Sequence, residues 1–455
     1  MDHGLLLKNA VSMVRTIKTS GAPVVHSTVD VRGSALAKCA VARQFTVSKS
    51  RAKGTMMRRI ATAAVVVLAA SLAGTAAVPA VAKATPASIQ ETVVQGGLNA
   101  PRHLVITEAG LVVTEAGTGG PVGESNCATG PSTETAGTTQ YCTGQTGAIF
   151  TISSRGQIIP VLSKLPSVIE ENIQEVTGPS AIAYGHGQEA VTIDDFLVNK
   201  DGSNNLLPKP FASAFGTLRL LSGGKTRVVS IAAFAAAHPQ SASSLGTIPG
   251  ETPYDSDPYD VVAYRGGWVV ADAGANDLLY VSATGRVSML ARFPAVAEQL
   301  PAGVLGNPAP ITVKAQAVPT SVAIGPDGAL YVGLLRGVPS DPGTSYIYRV
   351  VPGHKPVIWA RGLTSVTSIA FDRQGRLLAT EFNTGGLLAP PTVPGALVRI
   401  SNNGRTVTTL PVPGLYQPTG LAVSAHGTVY VSNYGDSTTI TSSHPGEIVK
   451  ITGLS

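Results

Sequence analysis

Charge, cysteine and aromatic residues are all scarce in this chain. Charged residues make up 13% of the 455 positions and aromatic ones 5%, with only 3 Cys and 2 Trp. So few charges exclude a coiled coil, a long solvated helix or an acidic disordered chain, each of which needs a dense charged surface. No Gly-x-Ser-x-Gly elbow, phosphate-binding loop or Cys-x-x-Cys pair occurs, so the usual signatures of serine hydrolysis, nucleotide binding and dithiol chemistry are missing. Present instead are 50 Gly and 32 Pro, the composition of a body rich in turns.

The formal charge of +6 suggests a polyanion binder until it is divided along the chain. Met1 to Arg59 holds 11 basic and 2 acidic residues, whereas Thr85 onward holds 21 basic and 25 acidic, a net of −4. No Lys/Arg cluster remains in the body to track a phosphate backbone, so nucleic acid is excluded as an expected partner.

The basic front has its own explanation. Met56-Met57-Arg58-Arg59 precedes an uncharged run from Ile60 to Ala82 with Val65-Val66-Val67-Leu68 at its centre and Ala80-Val81-Ala82 at its end. A positive start, an apolar middle and a small-residue exit are the parts of a secretory signal. The competing reading is a membrane anchor, which Gly74, Pro79 and the many weakly hydrophobic Ala residues disfavour. We therefore expect three parts: a basic extension over 1–55, a signal peptide over 56–84 and a secreted or extracytoplasmic body over 85–455. Membrane contact is expected only through an uncleaved signal, and a start at Met56 or Met57 would make the first 55 residues a misplaced beginning.

With Cys39 in the extension, Cys127 and Cys142 are left in the body, fourteen residues between them in a Gly/Thr-rich stretch without a strand pattern. One pair in an oxidising compartment reads as a loop-closing disulfide worth roughly 3 kcal/mol in the chain-entropy model. Two free thiols or half a metal site are the alternatives, although no neighbouring Cys or His spacing supports a metal.

A body of roughly 370 residues exceeds a single core of about 250–300 unless it is a repeat array. Six segments share one rhythm: a small or Pro-containing start, an alternating strand, a Gly-bearing turn and a second strand. Val318-Pro319-Thr320-Ser321-Val322-Ala323-Ile324 with Ala329-Leu330-Tyr331-Val332-Gly333 is one, and Gln417-Pro418-Thr419-Gly420-Leu421-Ala422-Val423 with Thr428-Val429-Tyr430-Val431-Ser432-Asn433 is another. All pairs but the last are followed by a second hairpin, which makes four antiparallel strands per unit. The reading is an all-β, six-bladed propeller, since a sandwich would not repeat six times and solenoid units are shorter. The sixth unit ends one strand short at Ile451. Glu91 to Leu98 resembles the outer strand Val357 to Leu363, so an N-terminal strand is expected to complete the last blade and start the domain near Ser88. Ala232 to Ala237 predicts a short helix between blades.

The segment Val318 to Gly333 resembles an NHL-like repeat. Together with Asp255-Ser256-Asp257-Pro258-Tyr259, the run Val269 to Leu279 and Gln417-Pro418-Thr419-Gly420, the chain resembles the scytonemin-cluster D/E-type (ScyD/ScyE) family of exported bacterial propellers, from about Glu91 to Ile451. That resemblance implies fold and export but no settled chemistry. It departs from the family at Asp257, where an Asn is usual, which leaves any inherited ligand role there in doubt.

Antiparallel pairing places the start of each first strand and the end of each second strand at one mouth. Arg102, Ser180, Tyr259, Thr320, Thr367 and Thr419 should meet Glu115, Asp194, Asp272, Asn276, Glu381 and Asn433 there. Long insertions emerge on the same side, and function is expected on that decorated face. As ligand candidates we take Glu115, Asp194, Asp272, Asn276, Glu381, Asn433, Arg102 and Tyr259. Six-bladed lactonase-type propellers hold a metal with carboxylates and amides, so Glu115, Asp272, Asn276, Glu381 and Asn433 are candidates for Ca²⁺ or another divalent ion. The plainer reading is that inner-strand polar groups satisfy buried backbone. Asp194-Asp195 are adjacent, so at most one should face the channel. His103 is the only His near the mouth, while His186 and His426 fall on opposite turns, and Trp268 and Trp359 read as blade packing. The expectation is a monomeric binding or scaffold protein for a small ligand or protein partner. The alternative is a metal-dependent hydrolase or lyase of lactonase-like type.

Overall fold

A Gly-bearing turn returns each strand onto its neighbour, and six such meanders follow one another along the chain. A computed structural model describes residues 88–454 other than 132–137, 196–206, 209–210, 249–252, 305–306 and 439–441. The stretches read as a basic extension and a signal peptide, and Cys39 with them, lie outside the described residues.

Six antiparallel sheets succeed one another as blades of a propeller. Blade 3 shows the plan: Pro258–Tyr264, Gly267–Asp272, Asp277–Ser282 and Val287–Arg292 pair in sequence order. Its inner turn, Arg265-Gly266, has φ of 45° and 80° at the two residues, the left-handed geometry that matches strand twist in a two-residue hairpin. Every residue of Gly267–Asp272 is buried because this strand is covered by blades on both sides.

The core is distributed rather than central. Apolar clusters join neighbouring blades, for example Trp268 of blade 3 with Leu218 and Leu220 of blade 2, and Phe150 of blade 1 with Ile448 of blade 6. The latter cluster closes the ring. Main-chain pairing closes it as well, because Gln90–Leu98 pairs with Gly446–Thr452 as the outer strand of blade 6. The expected N-terminal closing strand is therefore found. So is the short helix, Ile231–Ala237, capped by Ser230 whose side chain accepts from the Ala233 N–H.

Hydroxyls on the inner strands stitch blade to blade. Ser180 donates to the Tyr259 carbonyl at 2.5 Å, Thr320 to Val366 at 2.7 Å, Thr367 to Pro418 at 2.6 Å and Thr419 to Pro101 at 2.7 Å. Each satisfies a carbonyl on the channel wall that has no strand partner.

One sequence expectation fails here. The Gly/Thr-rich stretch around the cysteines is not a plain loop: Thr138–Ile152 is a 15-residue strand that runs on past blade 1, flanked by Cys127–Pro131 and Ile158–Glu170. Its Gly and Thr residues hide the alternation, but Cys127 stands directly opposite Cys142 and the two are joined, closing a separation of 15 residues. The bond fixes the register of the extension.

Candidate functional site

At the first channel-facing position of each inner strand, four blades carry the hydroxyl stitches and two do not. Blade 1 has Arg102 and blade 3 has Tyr259. Both line a cavity on the channel axis with Asp194, Glu175, Asp257 and Asp436, alongside Thr320, Thr367, Thr419, Leu335 and Phe382. The free space is about 20 Å³ for the centre of a water-sized sphere, room for one water or a bare ion rather than an organic molecule.

Arg102 is held on several sides. Its Nη2 donates to the Val176 carbonyl at 2.9 Å and lies 3.8 Å from Asp436 Oδ1. Burial opposes the charge of the guanidinium, but Tyr259, Asp436, Asp194 and Glu175 around it raise its pKa on balance. The Tyr259 phenol is pushed up by burial, with Arg102 opposing and Asp194, Asp257 and Asp436 adding to the rise. It is therefore a neutral hydrogen-bonding group at neutral pH.

One step deeper, His103 Nε2 reaches Asp260 Oδ1 at 3.4 Å, joining blades 1 and 3 past blade 2. Asp260 also accepts from the Val322 N–H of blade 4 at 2.8 Å and from its neighbour Val261 at 2.7 Å. Burial raises the Asp260 carboxyl while His103 and those amides oppose. The His thus serves a structural pair.

The five metal candidates have another use. Glu115 accepts the Asn99 N–H at 2.7 Å, Glu381 the Thr364 N–H at 2.8 Å and Asn433 the Tyr416 N–H at 2.7 Å. Asp272 accepts from Asp257 N at 2.6 Å, Ala275 N at 3.1 Å and Ser256 Oγ at 2.8 Å. In these four blades, a side chain at the end of the second strand clips the backbone just ahead of its own inner strand. Asn276 does the same for the next blade, accepting from Val318 N at 2.8 Å, which holds a β-branched residue at φ 52°. Among the described residues, no three His, Cys, Asp or Glu side chains are grouped to hold an ion. These residues do not fit a shared metal, and none of the five lines the axial cavity.

Asn276 has a further role. Its Nδ2 donates to Gln240 Oε1 at 2.6 Å and also to Gln316 Oε1, tying together the insertions before and after blade 3. The second insertion forms a hairpin, Val296–Leu300 with Ile311–Ala315. Its Leu300 and Val313 pack with Ile248 against Tyr259, Leu335 and Phe382 of the cavity wall, so the mouth is partly roofed by apolar side chains.

Burial raises the carboxylates around the ring. Asp255 is pushed up to about 8 by burial and by the Asp257 and Asp272 carboxylates, against the Ser256 N–H. Glu381 is pushed up to about 7 by burial, against its bond from Thr364. Glu115 is raised by burial too, against the Asn99 amide.

The structure thus brings Arg102, Tyr259 and Asp194 into one cavity and leaves Glu115, Asp272, Asn276, Glu381 and Asn433 at blade seams. Asp194 and Asp195 both follow the strand end at Ile193, yet only Asp194 lines the cavity. Glu175, Asp257 and Asp436 were missed as cavity residues. Asp257 directly precedes the Pro258 that starts an inner strand and was legible from that position; Glu175 and Asp436 reach the channel only through tertiary folding.

No protein-family model and no curated protein sequence matches the chain. Among solved structures it is similar to virginiamycin B lyase from Staphylococcus aureus with quinupristin, at 13% identity, 80% of this chain, 99% of that one and a TM-score of 0.43. A putative glucose dehydrogenase from Thermus thermophilus gives 14%, 80%, 100% and 0.45. A putative gluconolactonase gives 11%, 80%, 92% and 0.40. At such identities a likeness concerns fold, not chemistry.

Proposed function

We propose that this chain is an exported propeller that binds a small ligand or a protein partner at its insertion-bearing mouth. One observation carries the reading: the carboxylates and amides that would serve a metallo-hydrolase each hold backbone amides of the ring, and the axial cavity is lined instead by Arg102, Tyr259, Asp194, Glu175, Asp257 and Asp436. Export is supported by the signal-like segment and by a Cys127–Cys142 bond suited to an oxidising compartment. Assignment to the scytonemin-cluster D/E-type family rests on the wording of the repeats alone.

The alternative, a metal-dependent hydrolase or lyase, draws support from Glu381, whose raised pKa of about 7 suits acid–base work. It is the weaker reading because its ligands are dispersed. The test is hydrolysis of γ-butyrolactone and gluconolactone by the full chain with Ca²⁺, Zn²⁺ or Mn²⁺ added. We expect the background rate. A metal-dependent rate that disappears in both Asp272→Asn and Glu381→Gln would overturn the binding reading.

A further inference from the structure

The face opposite the mouth is built from ten short turns of blades 1 to 5 and the inner turn of blade 6. Outer turns, between third and fourth strands, occur in five blades: residues 153–157, 223–224, 283–286, 351–356 and 402–405. At or beside each turn stands a cation: Arg155, Lys225, Arg286, Lys355 and Arg405. All five are exposed. No acidic residue lies in any of the five turns, in a body where acids outnumber bases. Among the described residues none of the five has an ion-pair partner.

The inner turns add exposed Arg265 and Arg373. Two of the carboxylates on this face are already neutralised, Asp372 by Arg376 at 2.6 Å and Asp327 by Arg349 at 2.7 Å. Glu108, Glu189 and, at the start of the closing strand, Glu91 remain. Contacts between blades show these turns to be neighbours around one ring. Arg227 Nη1 donates to the Thr284 carbonyl at 3.0 Å between blades 2 and 3, and Tyr264 donates to Gly328 O at 3.4 Å between blades 3 and 4. Between blades 5 and 6, one hollow is lined by Arg373, Arg376, Arg399 and His426. The body's net negative charge therefore conceals a polarity: cations on the short-turn face, and carboxylates such as Asp194, Asp255, Asp257, Asp272 and Asp436 at the mouth.

We propose that the short-turn face docks on a bilayer bearing anionic lipid headgroups, leaving the mouth directed away from it. The arrangement of charge selects a surface over a linear polyanion. Cations spaced around a ring, one for each closed outer turn, meet a planar array of anions together, whereas a single strand of polymer would cross only two or three turns. At physiological salt the screening length is about 8 Å, so the ring must lie directly against the headgroups. The contact is mainly electrostatic and salt-reversible, with the exposed Ile158 and Val357 beside two of the outer turns as its apolar contribution. It does not depend on what the mouth binds.

The test is co-sedimentation of the full chain with phosphatidylcholine vesicles, with or without about 30% phosphatidylglycerol, at about 50 mM salt. The wild type is compared with a neutralised variant, Arg155→Gln, Lys225→Gln, Arg286→Gln, Lys355→Gln and Arg405→Gln. A charge-preserving variant exchanges Arg and Lys at the same positions. Circular dichroism and the melting temperature check folding of both. At about 1 kcal/mol for each cation near the surface, or roughly fivefold, neutralising five should weaken binding to the anionic vesicles by on the order of a thousandfold. The exchanged variant should bind like the wild type. Equal binding by the wild type and the neutralised protein overturns the proposal, whichever segment then supplies the affinity. So does loss of binding in the exchanged variant, or a ring-dependent affinity for a DNA duplex without affinity for vesicles.

Discussion

Glu381→Gln should make the protein more stable at neutral and alkaline pH, although the residue looks functional. The Glu381 side chain is 7% exposed, accepts one hydrogen bond from Thr364 N at 2.8 Å and has its pKa raised by burial from 4.5 to about 7. Below the unfolded value the acid is protonated in both states, and its contribution is fully present. Between the two values the unfolded chain ionises while the folded one does not, so stability is lost as pH rises through about 7. At about 1.36 kcal/mol per unit, the rise from 4.5 to about 7 amounts to on the order of 3 kcal/mol. Gln keeps an oxygen for the Thr364 amide and carries no charge to bury. Denaturant unfolding followed by the emission of Trp268 and Trp359, from about pH 5 to about pH 8, measures the difference. The variant should gain on the wild type with rising pH. A variant less stable than wild type at about pH 8, or a gap independent of pH, would refute the assignment of Glu381 as a desolvated seam residue.

Other perturbations test other parts of the fold. Replacing Cys127 and Cys142 by Ser should cost about 3 kcal/mol, for a closed separation of 15 residues, read as a lower denaturant midpoint; a midpoint equal to that of oxidised wild type would show that the bond holds nothing. Gly420→Ala places a Cβ against the Arg102 carbonyl and should destabilise by about 2 kcal/mol or more through overpacking, measured in the same assay. Thr419→Val removes the donor to the Pro101 carbonyl at 2.7 Å and should cost about 1–3 kcal/mol for a buried acceptor left unmet, whereas Thr419→Ser should recover most of it.

The ring was legible because its signals are local. Alternation in segments such as Val318 to Ile324, a Gly turn after each, and a strand missing at one end and spare at the other suffice to order six blades and close them. Placement at the mouth was equally legible: Glu115, Asp272, Glu381 and Asn433 do stand at strand ends on that side. Their roles were not. Axial position follows from strand direction, but which amide a carboxylate meets depends on the backbone ahead of the inner strand, where Ala100, Val318, Ser365 and Gln417 turn at positive φ. Blade 1's extension escaped notice because Gly and Thr give no apolar period. Asp436 follows the strand end at Asn433 by three residues and Glu175 precedes the inner strand at Pro179 by four, so their axial level was legible, but that they turn into the channel follows only from the folded ring.

The account turns on whether the mouth carboxylates hold backbone or an ion. Elemental analysis of the purified full chain after dialysis, with Asp272→Ala and Glu381→Ala alongside, decides it most directly. The account predicts less than a stoichiometric amount of any divalent metal in the wild type and no change in the variants. One equivalent of a single metal in the wild type, lost in both variants, would contradict it.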